Sequence, residues 1–243
     1  MSQFRRALAI SFKDIESYYG KPPLITWGLL FPAVLILSLY VKDPATYLAI
    51  APGIIAMTLL FGNTSMAAIV VTFEKRAGTF QRLLLAPLSM RTIVLGKTAS
   101  ASVYGIATAL ALFLGLKFAL GMPLVNPVLL LAGLILGAGI FSLLGLAAAV
   151  MVREVFEAMT LMNFVRFPIL FISGVFMPLS QMPPWLKPLA LMSPLTYVVE
   201  LLHLGVTGRS DFATPVIPLL ASLVFFLASW VLAEIMFRRR AYS

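Results

Sequence analysis

The chain carries one histidine, His203, and no cysteine in 243 residues. Histidine-based zinc motifs, thiolate nucleophiles and disulfide frameworks are therefore excluded. The run "RTIVLGKT", Arg91–Thr98, ends like a phosphate-binding loop. Such a loop needs a glycine five residues before its last one, to make a turn of exposed amides. Arg91 stands at that position, and Ile93, Val94 and Leu95 resist the turn, so ATP hydrolysis by this chain is not expected. No aspartate-rich cluster is present to hold magnesium on a pyrophosphate. What remains is a set of polar residues inside apolar runs: Asn63, Asn163 and Arg166. An ionisable group within a membrane helix marks a substrate or ion path by default, so these three are candidates for a pathway. Alternatively, the helix carrying Arg166 starts late and the side chain snorkels to the interface. Asn63-Thr64-Ser65 matches a glycosylation acceptor, but its place in an apolar run suits hydrogen bonds between helices better.

The elements that must position these residues follow from composition. The chain is 61% hydrophobic and 11% charged, with a mean hydropathy of +1.01. A soluble domain carries about 25% charged residues, so the membrane class is indicated. Six apolar runs, Leu24–Val41, Tyr47–Phe73, Ile93–Leu116, Pro127–Val152, Ala158–Met177 and Thr214–Phe237, approach or exceed the ~20 residues that cross a bilayer. Backbone groups in lipid must bond within their own segment, so the runs are expected to be helices. The expected fold is an all-α polytopic membrane protein, a single transmembrane domain over residues 1–243.

The net charge is +9, and where the charges lie favours a membrane over nucleic acid as their partner. With the N-terminus inside, the inner side holds Arg5, Arg6, Lys13, Lys21, Lys75, Arg76, Arg82, Arg91, Lys97, Arg153, Arg238, Arg239 and Arg240. The outer side holds only Lys42, Lys117, Lys187 and Arg209. The excess of inner lysine and arginine puts both termini in the cytoplasm of a multi-pass plasma-membrane protein.

The N-terminal stretch lacks the apolar core of a signal peptide. Phe4, Leu8, Phe12, Ile15 and Tyr19 recur at helical spacing among charged residues, which predicts an amphipathic helix over 3–20 lying on the lipid surface. An ordinary soluble helix has the same pattern. On the fourth run, Gly133 and Gly137 form a small-xxx-small pair that would let another helix approach closely.

Between the second and third runs lies a short basic segment, residues 74–90. Gly78 supplies a sharp turn, and Thr79 can cap a helix. Phe80, Leu83 and Leu84 share one face, Gln81 and Arg82 the other, and Pro87 ends the element. The result is a helix of about two turns, charged before its start and apolar along one side. It either rests unpartnered at the interface or offers side chains to a protein beneath it. Between the fifth and sixth runs, residues 178–208 are too apolar for a loop and too rich in proline for a span. Pro184 and Pro194 suit the first turns of two short helices, with Ser193 capping the second. Each would cover about half a bilayer, a pair dipping in from outside and buried by protein.

The stretch "EKRAGTFQRLLLAP" resembles the coupling-helix motif of the membrane-spanning subunits of type-2 ATP-binding-cassette (ABC) exporters. By that resemblance Glu74, Arg76, Gly78, Thr79, Phe80, Arg82, Leu83 and Pro87 contact an ATP-binding subunit. The family often has acids flanking the Gly-Thr pair, where Ala77 and Gln81 stand here. "FPILFISGVFMPLSQMPPWLKPLALMSPLTYVVELL" is similar to the family's re-entrant region, with Pro184, Trp185, Pro194, Tyr197 and Glu200 at positions of interest. The resemblance implies no cofactor in this chain, with ATP and magnesium acting in a partner subunit. It also implies a second permease copy, identical or similar. Few intramembrane charges suit a hydrophobic or amphipathic cargo such as a drug, lipid or lipid-linked glycan. An ATP-independent channel or transporter, a membrane-embedded lipid enzyme and a membrane scaffold are the alternatives. The first calls for buried carboxylates within spans, which Asp and Glu avoid here apart from Glu234.

Overall fold

A computed structural model describes residues 3–18, 29–42, 47–152 and 154–240, with side chains at all of these but Phe4 and Arg240. Every regular element among the described residues is helical. In order these are α1 (Gln3–Tyr18), α2 (Phe31–Lys42), α3 (Tyr47–Arg76), α4 (Thr79–Leu85), α5 (Met90–Leu120), α6 (Pro127–Ala149), α7 (Val155–Ile172), α8 (Lys187–Leu191), α9 (Pro194–Thr207) and α10 (Val216–Arg240). Five of them, α3, α5, α6, α7 and α10, are long and apolar enough to cross a membrane. The first apolar run contributes α2, a shorter apolar helix of 12 residues. Residues 24–28 of that run, with Tyr19, Lys21 and Arg153, lie outside the described residues.

Helix α3 is the centre of the bundle. Its most apolar stretch is wholly buried, and α2, α4, α5, α6, α7 and α9 all pack on it. Lipid tails are as apolar as leucine, so helices in a bilayer associate through close packing rather than through escape from water. Small residues on α6 provide that closeness. A Cβ added at Gly137 would come within 2.8 Å of Val198 Cγ1, and one at Gly133 within 3.0 Å of Leu202 Cδ2, both on α9. The Gly133–Gly137 pair thus receives α9, while Gly145 abuts the α3 backbone, where an added Cβ would lie 2.6 Å from the Thr64 carbonyl oxygen.

Helix α1 packs along α5. Its buried positions are Ala7, Ile10, Ser11 and Asp14. Leu8 and Phe12, from the apolar stripe of the sequence, remain exposed at 48% and 74%. The helix therefore has two working faces, a small polar one toward protein and an apolar one left outward.

Three local expectations are corrected. The fifth run ends as a helix at Ile172, not at Met177, because Ser173 leaves helical geometry and Gly174 turns the chain at φ +80°. In the proline-rich region the first short helix does not start at Pro184. A 3-10 turn (Leu179–Gln181) comes first, and α8 begins at Lys187 with Pro188 in its first turn. The second, α9, does start at Pro194, with Ser193 accepting from the Leu195 amide at 3.3 Å. Thr79 does not cap α4. Gly78 occupies the cap with φ +69°, and Thr79, the first helical residue, donates its hydroxyl to the Glu74 carbonyl at 3.3 Å.

Candidate functional site

The sequence segment that ends α3 and forms α4 sits at one end of the bundle. The left-handed Gly78 reverses the chain sharply, a conformation that costs a side-chain-bearing residue about 1–2 kcal/mol. Helix α4 then runs for seven residues. Phe80 is buried, with its ring 6.1 Å from Phe237 of α10 in an edge-on contact. Leu83 and Leu84 pack partly against the same core. Arg76, Gly78, Thr79, Gln81, Arg82 and Pro87 face outward. Leu85 is 87% exposed. The element therefore rests on an apolar underside and offers a basic, partly apolar outer face.

Glu74 is placed differently from its neighbours. It is 1% exposed, and its carboxylate lies 2.6 Å from Lys97 Nζ of α5. Lys97 also bridges both Asp14 oxygens of α1, at 3.0 and 2.9 Å. Lys13 closes the group, bonding Glu74 and lying 3.1 Å from Asp14. Asp14 and Lys97 are themselves 0% and 1% exposed. Two carboxylates and two ammonium groups thus compensate one another at the meeting of α1, α3 and α5. Burial pulls the Lys13 pKa down, but the Glu74 hydrogen bond and the Asp14 charge outweigh it and hold the group above the usual lysine range. Removing one of the three buried members, Asp14, Glu74 or Lys97, costs about 3–5 kcal/mol, because buried charge is left uncompensated.

Further bonds fasten α1 and α3 at this end. Arg6 donates to the Pro87 carbonyl just beyond α4. Thr92 Oγ1 donates to Gln3 Oε1 at 2.8 Å. Ser11 Oγ reaches the Gly96 carbonyl at 2.7 Å, where a Cβ on Gly96 would lie 2.9 Å from the Ala7 oxygen. Lys75 Nζ donates to the Ala149 and Val152 carbonyls, at 2.9 and 3.1 Å, closing the end of α6. Helices α1, α3, α4, α5 and α6 are thereby tied into one body around the turn at Gly78. The run Arg91–Thr98, which ends like a phosphate loop, is helical throughout.

The proline-rich region lies at the opposite end. A Cβ on Gly53, near the start of α3, would meet the Val175 carbonyl oxygen at 2.5 Å. Tyr197 donates to the Leu191 carbonyl at 2.8 Å and stacks on Phe212 at 5.6 Å. Glu200, 4% exposed, accepts from Ser210 Oγ at 2.7 Å and the Asp211 amide at 2.9 Å. Pro184 and Trp185 are exposed and Pro194 half-buried.

In the middle of the bundle Arg166 is 2% exposed. Its Nη1 donates to Asn163 Oδ1 at 3.3 Å, and its guanidinium carbon lies 5.3 Å from the centre of the Phe61 ring. Asn163 and Arg166 are therefore partners. Asn63 faces another neighbour, against Gly105 of α5. The ionic role of Lys97 and Asp14 was not visible in the sequence. Lys97 reads as one more inner-side cation, and Asp14 lies 83 residues from it. The helical spacing of the small and polar residues Ala7, Ser11 and Asp14 is the one signal that could have pointed to a packed face.

Residues 5–206 match the family model described as ABC-2 type transporter. The chain is 24% identical to "Inner membrane transport permease YadH" of Escherichia coli (strain K12) over 186 residues, covering 75% of this chain and 71% of that protein. It is 30% identical over 155 residues to "Putative transport permease ycf38" of Cyanophora paradoxa, covering 61% of this chain and 52% of that one. The protein of the same description from Porphyra purpurea is 28% identical over 196 residues, covering 75% and 67%.

Proposed function

This chain belongs to the ABC-2 type transporter family as a membrane permease subunit, and on that premise we propose that it forms half of an ATP-driven exporter of hydrophobic or amphipathic substrates. A second permease copy completes the pathway. Two ATP-binding subunits, which hold ATP and magnesium, dock beneath α4. Both termini and α4 lie on the cytoplasmic side, as the bias of lysine and arginine requires. Six crossings are counted, the apolar run that contains α2 supplying the first.

The observation that carries this reading is the outer face of α4 and its fastening to the bundle. Arg76, Thr79, Arg82 and Leu85 supply a docking surface, with Phe80 and Leu83 seating the helix and Gly78 and Pro87 fixing its ends. Glu74 acts behind that surface, where it joins α3 to α1 and α5. A push on α4 then moves α1, α3, α5 and α6 together. Rigid-body motion of one half against the other changes access to the path between them. Helices α8 and α9 with Trp185, Tyr197 and Glu200 close the outer end, and Asn63, Asn163 and Arg166 face the interior.

The test is co-expression with the candidate ATP-binding subunit, purification through this chain, and an ATPase assay on the eluate. The wild type should retain ATPase activity. Arg82→Ala with Leu85→Ala should lose at least nine-tenths of it while remaining folded. A wild-type chain that binds no ATP-binding protein would leave a channel or scaffold as the explanation.

A further inference from the structure

A cavity of about 200 Å³ opens beside Arg166, between α3, α6, α7 and α10. Its walls are apolar apart from Thr64 and Arg166. The Thr64 hydroxyl is already bonded within its own helix, to the Leu60 carbonyl. Among the described residues of the lining, Arg166 therefore provides the one free polar side chain. Its Nη1 is held by Asn163, while Nε and Nη2 are buried and have no hydrogen-bond partner among the described residues. Those two nitrogens form the side-on edge of the guanidinium, the planar fork that takes a carboxylate or phosphate in paired hydrogen bonds.

No carboxylate among the described residues satisfies that edge. The walls from α3, α6 and α10 contribute Leu60, Leu144 and Leu232 and carry no acid. Glu234, further along α10, is engaged by Arg91 at 3.1 Å and Arg238 at 2.8 Å. Arg166 stands 11 residues into α7, about 16 Å along the helix at 1.5 Å per residue, too deep for a surface counter-ion. Leaving a buried cation uncompensated is expensive in a low dielectric, so the arrangement calls for an anion from outside the chain.

The shape limits what that anion belongs to. The cavity has room for a headgroup but not for acyl chains. Chains would lie outside it along the exposed apolar residues of the flanking helices, Phe164 at 84% and Val231 at 55%. We infer that the Arg166 cavity is a binding site for the phosphate or carboxylate headgroup of an anionic, lipid-like amphiphile. This rests on the exporter reading only in taking the amphiphile as cargo, since binding itself needs no ATPase.

The test uses the purified full chain and an equimolar mixture of phosphatidic acid, phosphatidylcholine and diacylglycerol with identical acyl chains. Native mass spectrometry counts the lipid retained. The wild type should retain phosphatidic acid at least tenfold over the other two. Arg166→Gln should abolish that preference, and Arg166→Lys should keep a reduced one, because a point charge replaces the fork. Leu161→Trp, which fills the cavity and leaves the charge, should also abolish it and decides the matter if Arg166→Gln fails to fold. Equal retention of the three lipids by the wild type would overturn the inference, as would undiminished preference in Leu161→Trp. Running the ATPase co-purification on the same wild-type sample separates the two readings. Lipid preference without a docked ATPase defeats the exporter alone, and a docked ATPase without preference defeats the headgroup site alone.

Discussion

Lys97 shows how much one residue can do at one end of such a bundle. It is the common partner of Asp14 and Glu74, both buried, so its removal leaves two buried carboxylates sharing the half-exposed Lys13. Lys97→Met should lower stability by about 3–5 kcal/mol, read as a drop in the melting temperature of the detergent-solubilised chain. Lys13→Ala should cost below about 1 kcal/mol, since its side chain is half exposed and screened by water. Replacing all three buried members together, by Asp14→Leu, Glu74→Met and Lys97→Met, should restore much of the loss. None of this was legible in the sequence. Ion pairing depends on which helices meet: Lys13 lies 61 residues from Glu74, and Lys97 lies 83 from Asp14. The sequence assigned Glu74 to a docking motif by its neighbours; Arg76, Gly78, Thr79, Arg82 and Pro87 do face outward, while Glu74 and Phe80 turn in. Arg166 was legible as an odd residue in an apolar run, but its free edge and cavity depend on four helices at once.

At the scale of elements the sequence was more informative. Five of the six apolar runs coincide with long helices to within about five residues, because the apolar backbone of a span must bond within its own segment. The α4 element was legible from Gly78, its apolar face and Pro87. The proline-rich region was legible as broken helix, yet the start of α8 was missed. Several prolines there compete for one first turn, and the chain uses Pro188 where Pro184 fits as well. Gly137→Leu should force α9 off α6, where even a Cβ would lie 2.8 Å from Val198, and destabilise by about 1–3 kcal/mol in the same melting assay. Gly78→Ala meets nothing within 4 Å, so its cost is backbone strain alone, about 1–2 kcal/mol. It should leave the bundle folded while lowering the ATPase activity that co-purifies.

In the proposed exporter, the whole molecule works through a cytoplasmic end that is built as one body and carries the docking face, with broken helices closing the outer end. The absence of cysteine allows a direct test with single-cysteine variants in native membranes. Leu85→Cys lies on α4, and Trp185→Cys, at a position 71% exposed, lies at the far end. With a short bifunctional thiol–amine crosslinker and the co-expressed ATP-binding subunit, Leu85→Cys should give a crosslinked product containing that subunit. Trp185→Cys should give none. Crosslinking of both variants, or of Trp185→Cys alone, would contradict the placement of the docking face, and with it the central claim that α4 receives the ATP-driven push.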